Sequence, residues 1–194
     1  MDGERIQAWH FLPASRVPRW GYVRPCYVGQ TLTARGELKL CNNGMHASRR
    51  AIDALYYAPG PVVCRVELSG EIIEDDDKLC ARRRTIIAMA DATDTLRAWS
   101  RWCALQVIDM WDAPDVVREY MTTGDEALRD AACRACASAR AAAWASEGSA
   151  RAWGASASAC TRERAWWRAW DSTWCEYGAQ LESMLADLLA EEEE

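Results

Sequence analysis

An α+β fold is predicted for this 194-residue chain by three observations. Up to Asp91, apolar residues gather in short β-branched runs broken by Pro, Gly and Asn. Beyond it they recur at helical spacing in an Ala-rich background. The character of the chain changes only once. We therefore expect a small mixed β domain with one short helix over residues 1–91. An Ala/Trp-rich helical region over 92–190 and an acidic tail, 191–194, complete the chain.

Gln7–Leu12 reads as a first strand stopped by Pro13, and residues 13–25, with three Pro and three Arg, as a surface loop. Tyr27–Leu32 and Glu37–Leu40 bracket Ala34-Arg35-Gly36 and read as a short strand pair. Asn42-Asn43-Gly44 is turn chemistry, because Asn and Gly tolerate positive φ. Ser48 is placed to cap a helix carrying Ala51, Ile52, Ala54 and Leu55 on one stripe. Pro59-Gly60-Pro61 ends that helix, and Val62, Val63, Val66 and Leu68 form the next strand. Thr85–Ala90 is the last strand candidate before the helices.

Residues 92–111 read as a helix, Asp112–Asp115 breaks it, and 115–122 forms a short helix before Thr123-Gly124. From Asp125 onward the chain is helix-permissive, with Gly148 and Gly154 as break points. Ser138-Ala-Arg-Ala returns at Ser149, an 11-residue echo that suits straight or slightly right-handed packing. Trp166, Trp167, Trp170 and Trp174 share helical spacing and read as a helix seam. Leu181, Met184, Leu185, Leu188 and Leu189 form an amphipathic end.

Charge narrows the function. Residues 1–95 carry 13 positive and 12 negative side chains and residues 96–194 carry 10 and 17, so the second half is acidic. That balance argues against nucleic acid as a partner. The charged start MDGERIQAWHF lacks an apolar core, and no apolar run is long enough to span a bilayer. The expected location is the cytoplasm, where nine Cys stay reduced and mostly serve as small buried hydrophobes. Cys133 and Cys136 have zinc half-site spacing without a second half, so neither a metal nor a cofactor is expected. Arg82-Arg83-Arg84 reads as a solvated edge opposite Asp75–Asp77, or alternatively as a grip for phosphate or carboxylate.

His10 and His46 are the only histidines, and both stand at strand ends beside turns, where function concentrates. With Ser48, Arg49 and Tyr57 they form the expected ligand site. Its guest is an anionic, nucleotide-like small molecule, drawn by N–H groups at the start of the helix. No catalytic residue is assigned.

The segments AWHFLPA, LKLCNNGMHASRRAIDALYYAPGPVVCRVELSGEI and DDDKLCARRRTIIAMADAT resemble a family of phage-encoded proteins with Ala-rich tails. The resemblance implies a phage or prophage origin and a setting inside a host cell. A looser resemblance is to ADP-ribosyltransferases of the poly-ADP-ribose polymerase type. It implies that His10 holds an NAD ribose and that Tyr56 or Tyr57 stacks on nicotinamide. The strand TIIAMA, however, holds no catalytic Glu. The leading expectation is therefore a non-catalytic phage accessory protein, used in host takeover or anti-defence, that binds a host or phage protein. It is expected to self-associate through its helical region. The alternatives are an NAD-handling enzyme, with Glu67, Glu71 or Glu74 as the carboxylate, and a structural component of the virion.

Overall fold

The computed structural model describes residues 5–19, 22–106, 108–110, 112–146 and 164–192, without the side chains of 110, 139–146 and 164–174. The fold is α+β, in two compact units: Met1–Leu96 with Tyr177–Glu194, and Arg97–Glu176. Gly148, Gly154 and the repeat at Ser149 lie outside the described residues, as do the side chains of the expected Trp seam.

The first unit is built on one antiparallel sheet. Its strands are β1 (Arg5–Leu12), β2 (Thr31–Thr33), β3 (Met45–Ala47), β4 (Val62–Glu74) and β5 (Leu79–Asp91). They pair in the order β1-β4-β5-β2, with β3 on the same edge of β5 as β2. The sequence pairs 27–32 with 37–40. The structure instead lays β2 on β5, Thr31 opposite Thr85 and Leu32 opposite Arg84. Two strands this short are marginal on their own, whereas the 13-residue β5 offers them an open edge. Residues 37–40 keep only the bridge between Lys39 and Asn43.

The sheet curls until its two ends meet. Trp9 N–H donates to the Ser48 carbonyl at 2.8 Å and Ser48 N–H to the Trp9 carbonyl at 2.9 Å. The chain leaving β3 thus returns to the free edge of β1. Two register shifts in β4 against β5, between Arg65 and Val66 and between Ser69 and Ile72, supply the bending. Ile6, Ala8, Leu12, Cys64, Val66, Leu68 and Ile86 fill the core that results.

This closure overturns the role expected for Ser48. It is 2% exposed and spent on the β1 bridge, and α1 (Ala51–Tyr56) starts later, with Arg50 as a cap that makes no side-chain bond. The first free N–H of α1, that of Ala51, donates to the Glu182 carboxylate at 2.8 Å. Glu182 belongs to the C-terminal helix (Arg164–Glu191), whose Leu181, Leu185 and Leu189 are buried at a spacing of four. A Cβ on Gly178 would stand 3.2 Å from Ile52, so the glycine allows that helix to approach α1 closely.

The second unit takes in most of α2 (Thr93–Leu105), together with α3 (Asp115–Thr123) and α4 (Glu126–Ser146). Val117, Tyr120 and Ala132 form its core, with Cys136 packed against them and Cys133 exposed. Gly124, at φ +70°, ends α3 in the left-handed conformation and returns its N–H to Tyr120. No described helix is long and apolar enough to cross a membrane.

Removing the Glu182 carboxylate leaves the Ala51 N–H without its charged acceptor. Glu182→Ala should therefore lower stability by about 1.5–3 kcal/mol, read from urea unfolding at unchanged m-value. A loss below about 0.5 kcal/mol, the usual range for a neutral surface change, would show that this contact does not hold α1.

Candidate functional site

Cross-strand partners share a face of a sheet, and along a strand every second residue does. His10 lies opposite Cys64, and Cys64, Val66 and Leu68 alternate along β4. Leu68 lies opposite Arg84, and His46 opposite Cys80, four residues before Arg84 on β5. His10, His46 and Arg84 therefore point from one face of the closed sheet. Loop residue Cys26 belongs to the same buried cluster. It is tied back by its N–H to the Arg16 carbonyl at 2.9 Å.

Arg84 is the unusual member. It is 4% exposed, and its Nη1 donates to the His46 carbonyl at 2.6 Å. Its Nε is buried with no hydrogen-bond partner among the described residues. No carboxylate among them pairs with it either. A guanidinium stays protonated in proteins, so a full positive charge is held inside an apolar cluster. The nearby thiols do not balance it. Burial pushes Cys64 up to about 12 and also raises Cys26, so both are neutral near pH 7. An uncompensated buried charge costs several kcal/mol, and the closed sheet carries that cost.

The two histidines respond to the same charge. Burial holds His10 well below the ordinary imidazole range, and the positive charges of Arg84 and His46 push the same way. Burial also lowers His46, followed by Arg84. The ring of His46 has a local task, because its Nε2 accepts the Cys41 N–H at 3.1 Å. That bond fixes the turn before β3, where Cys41 takes φ +61° and Gly44 φ +146°. A Cβ on Gly44 would lie 2.1 Å from the Cys80 sulfur, so only glycine fits there. His46 thus contributes its carbonyl to Arg84 and its ring to the turn.

The remaining expected residues lie in other clusters. Arg49 forms a fork with Glu74, at 2.5 and 2.9 Å. Tyr57 donates to Asp77 at 2.5 Å, packs edge-on to Tyr56 and lies beneath Lys78. Its pKa is raised first by the Asp77 bond. Lys78 links this cluster to the histidines: it donates to the Tyr57 hydroxyl at 3.5 Å and its charge also lowers His46, whereas neither Tyr57 nor Lys78 is among the groups that act on His10. An anion at the start of α1 is indeed present, but it is the chain's own Glu182.

The Arg82–Arg84 run divides in a way that a solvated edge does not describe. Arg82 pairs with Glu71 and donates to the Gly36 carbonyl at 2.5 Å. Arg83 is exposed, Arg82 is half-buried, and Arg84 alone of the three is fully buried. The signal for this was available in the sequence, since Arg84 stands two residues before the buried Ile86 and so in the buried phase of the strand.

If Arg84 is held for a ligand and not for the fold, Arg84→Met should be neutral or stabilising by up to about 4 kcal/mol in urea unfolding. A loss above about 2 kcal/mol would make Arg84 a structural brace. The depressed pKa of His10 sets a pH dependence. Between its folded value and the unfolded value near 6.5, the unfolded chain binds more protons. Stability should thus fall as pH drops below about 6.5, and His10→Gln should reduce that slope in acid titrations of the unfolding midpoint.

A protein-family model described as a domain of unknown function (DUF7666) matches residues 20–98. That span contains His46, Cys64 and Arg84 and leaves out β1 with His10. No curated protein and no solved structure matches the chain.

Proposed function

We propose that this chain is a non-catalytic binding protein whose β unit takes an anionic ligand against Arg84. One observation carries the reading: a guanidinium 4% exposed, with a buried Nε left without a partner. Buried polar groups in folded proteins are nearly always paired, and a cation with no resident counter-charge is balanced most directly by an incoming anion. The surroundings suit binding better than acid–base chemistry. His10 and His46 are both lowered by burial, and no carboxylate stands among the groups that perturb His10. In the setting expected from the sequence, a phage-encoded accessory protein acting on a host component, the anion belongs to that component or to a small molecule of the host cell.

The reading is tested by thermal denaturation of the full chain against small anions at constant ionic strength. A ligand present at a hundred times its Kd adds about 2.7 kcal/mol of stability. A saturable rise in Tm for at least one anion, lost in Arg84→Met, is the expected result. Equal rises in the two proteins would mean that the anions act elsewhere.

A further inference from the structure

The hydrogen-bonding capacity left unused around Arg84 goes further and selects the class of anion, provided that the proposed anion site is correct. Nη1 is committed to the His46 carbonyl at 2.6 Å, the one hydrogen bond Arg84 makes among the described residues. Four of its five N–H groups are left unused among the described residues: Nε–H, both on Nη2 and the second on Nη1. In a planar guanidinium Nε–H and one Nη2–H lie on one edge, parallel and a fixed distance apart. Such a fork accepts two oxygens of a single group, either a carboxylate or a phosphoryl group.

His10 separates the two. It lies on the same sheet face, opposite Cys64 on β4, and makes no side-chain hydrogen bond among the described residues. Arg84 and His46 both act on it electrostatically. A neutral imidazole presents one N–H donor and one bare nitrogen. A carboxylate seated on the fork keeps only the remaining in-plane lone pairs of the same two oxygens, and it has no proton to offer the bare nitrogen. A phosphate ester on the same fork keeps a further terminal oxygen. That oxygen accepts the imidazole N–H, or donates its own proton to the bare nitrogen when the ester is a monoanion. We propose that the ligand is a small phosphate ester, two of its oxygens on the Nε/Nη2 edge of Arg84 and a third on His10.

The chain contains only two histidines, so proton NMR of the imidazole Hε1 signals can follow the site directly, with His10→Gln assigning the resonance. Inorganic phosphate, adenosine monophosphate and acetate would be titrated into the full chain at constant ionic strength. The two phosphates should shift the His10 signal saturably, and acetate should not. Tighter binding of the nucleotide than of inorganic phosphate would place the ligand among nucleotides; equal binding would mean that the phosphoryl group alone is recognised. Arg84→Lys keeps the charge without the fork and should weaken phosphate binding about tenfold or more. If that variant does not fold, Arg84→Met, followed by near-UV circular dichroism, replaces it and should abolish the shift. Acetate acting as strongly as phosphate would overturn the phosphate assignment while leaving an anion site in place. Silence from all three would overturn both. Undiminished binding by Arg84→Lys would overturn the fork.

Discussion

The backbone pair between Trp9 and Ser48 is the constraint on which the β unit depends. β1 and β3 stand at different places in the sheet order, one beside β4 and the other beside β5. Without the two bonds that join Trp9 to Ser48, the sheet would be an open, curved ribbon with an exposed edge on β1. Joining the ends removes that edge and satisfies backbone groups that would otherwise face solvent or another chain. It also decides what lies inside. Once the sheet curls, side chains on the concave face of β1, β3 and β5 face one another, and the charge of Arg84 reaches both His10 and His46.

A closed apolar sheet is a costly place for a guanidinium, and a single bond to the His46 carbonyl is all that the described residues give it. Leu68 lies opposite it on β4 and Leu32 opposite it on β2, both buried. A methionine or leucine would suit those neighbours better than a cation does. The neighbouring Arg82 and Arg83 show how the chain treats an arginine it can satisfy. Arg82 is given Glu71 and two loop carbonyls, and Arg83 is turned outward to Ser69. Arg84 receives one carbonyl and neutral thiols. Departures of this type from local consistency mark the places where a fold gives up stability for a function.

Much of the fold was legible in the sequence, because hydrophobic period and turn residues act locally. The strand stopped by Pro13, the helix ending before Pro59, the start of the Val-rich strand, and the short helix ending at Thr123 all fall where pattern and punctuation put them, although that strand runs through Ser69-Gly70 to Glu74. What stayed hidden was non-local. The pairing of β2 with β5 depends on β5 being long enough to serve as an edge, and the fate of Ser48 depends on β1 passing beside it. The N-terminus of α1 is satisfied by Glu182, 131 residues away, and no window of sequence around Ser48 contains that carboxylate. The candidate site divides along the same line. The histidines were visible as rare residues beside turns. The residue whose charge acts on both was concealed in a run of three arginines, where composition says solvated edge and only strand phase says otherwise.

Glu182 and Arg84 together explain why the anion site proposed for this scaffold is placed on the sheet and not at the helix. A helix start attracts anions through its unpaired N–H groups, but α1 has only six residues. Its first free donor is already occupied by a carboxylate from a helix whose Leu181 and Leu185 are fully buried. To bind there, a soluble anion would have to displace a group tethered in place, at a high effective concentration. No carboxylate among the described residues pairs with Arg84, which β5 holds opposite Leu68 and Leu32. The proposed selectivity follows from geometry: Nε–H and one Nη2–H of Arg84 stand vacant on one edge, and His10 on the same face is held neutral near pH 7 by burial.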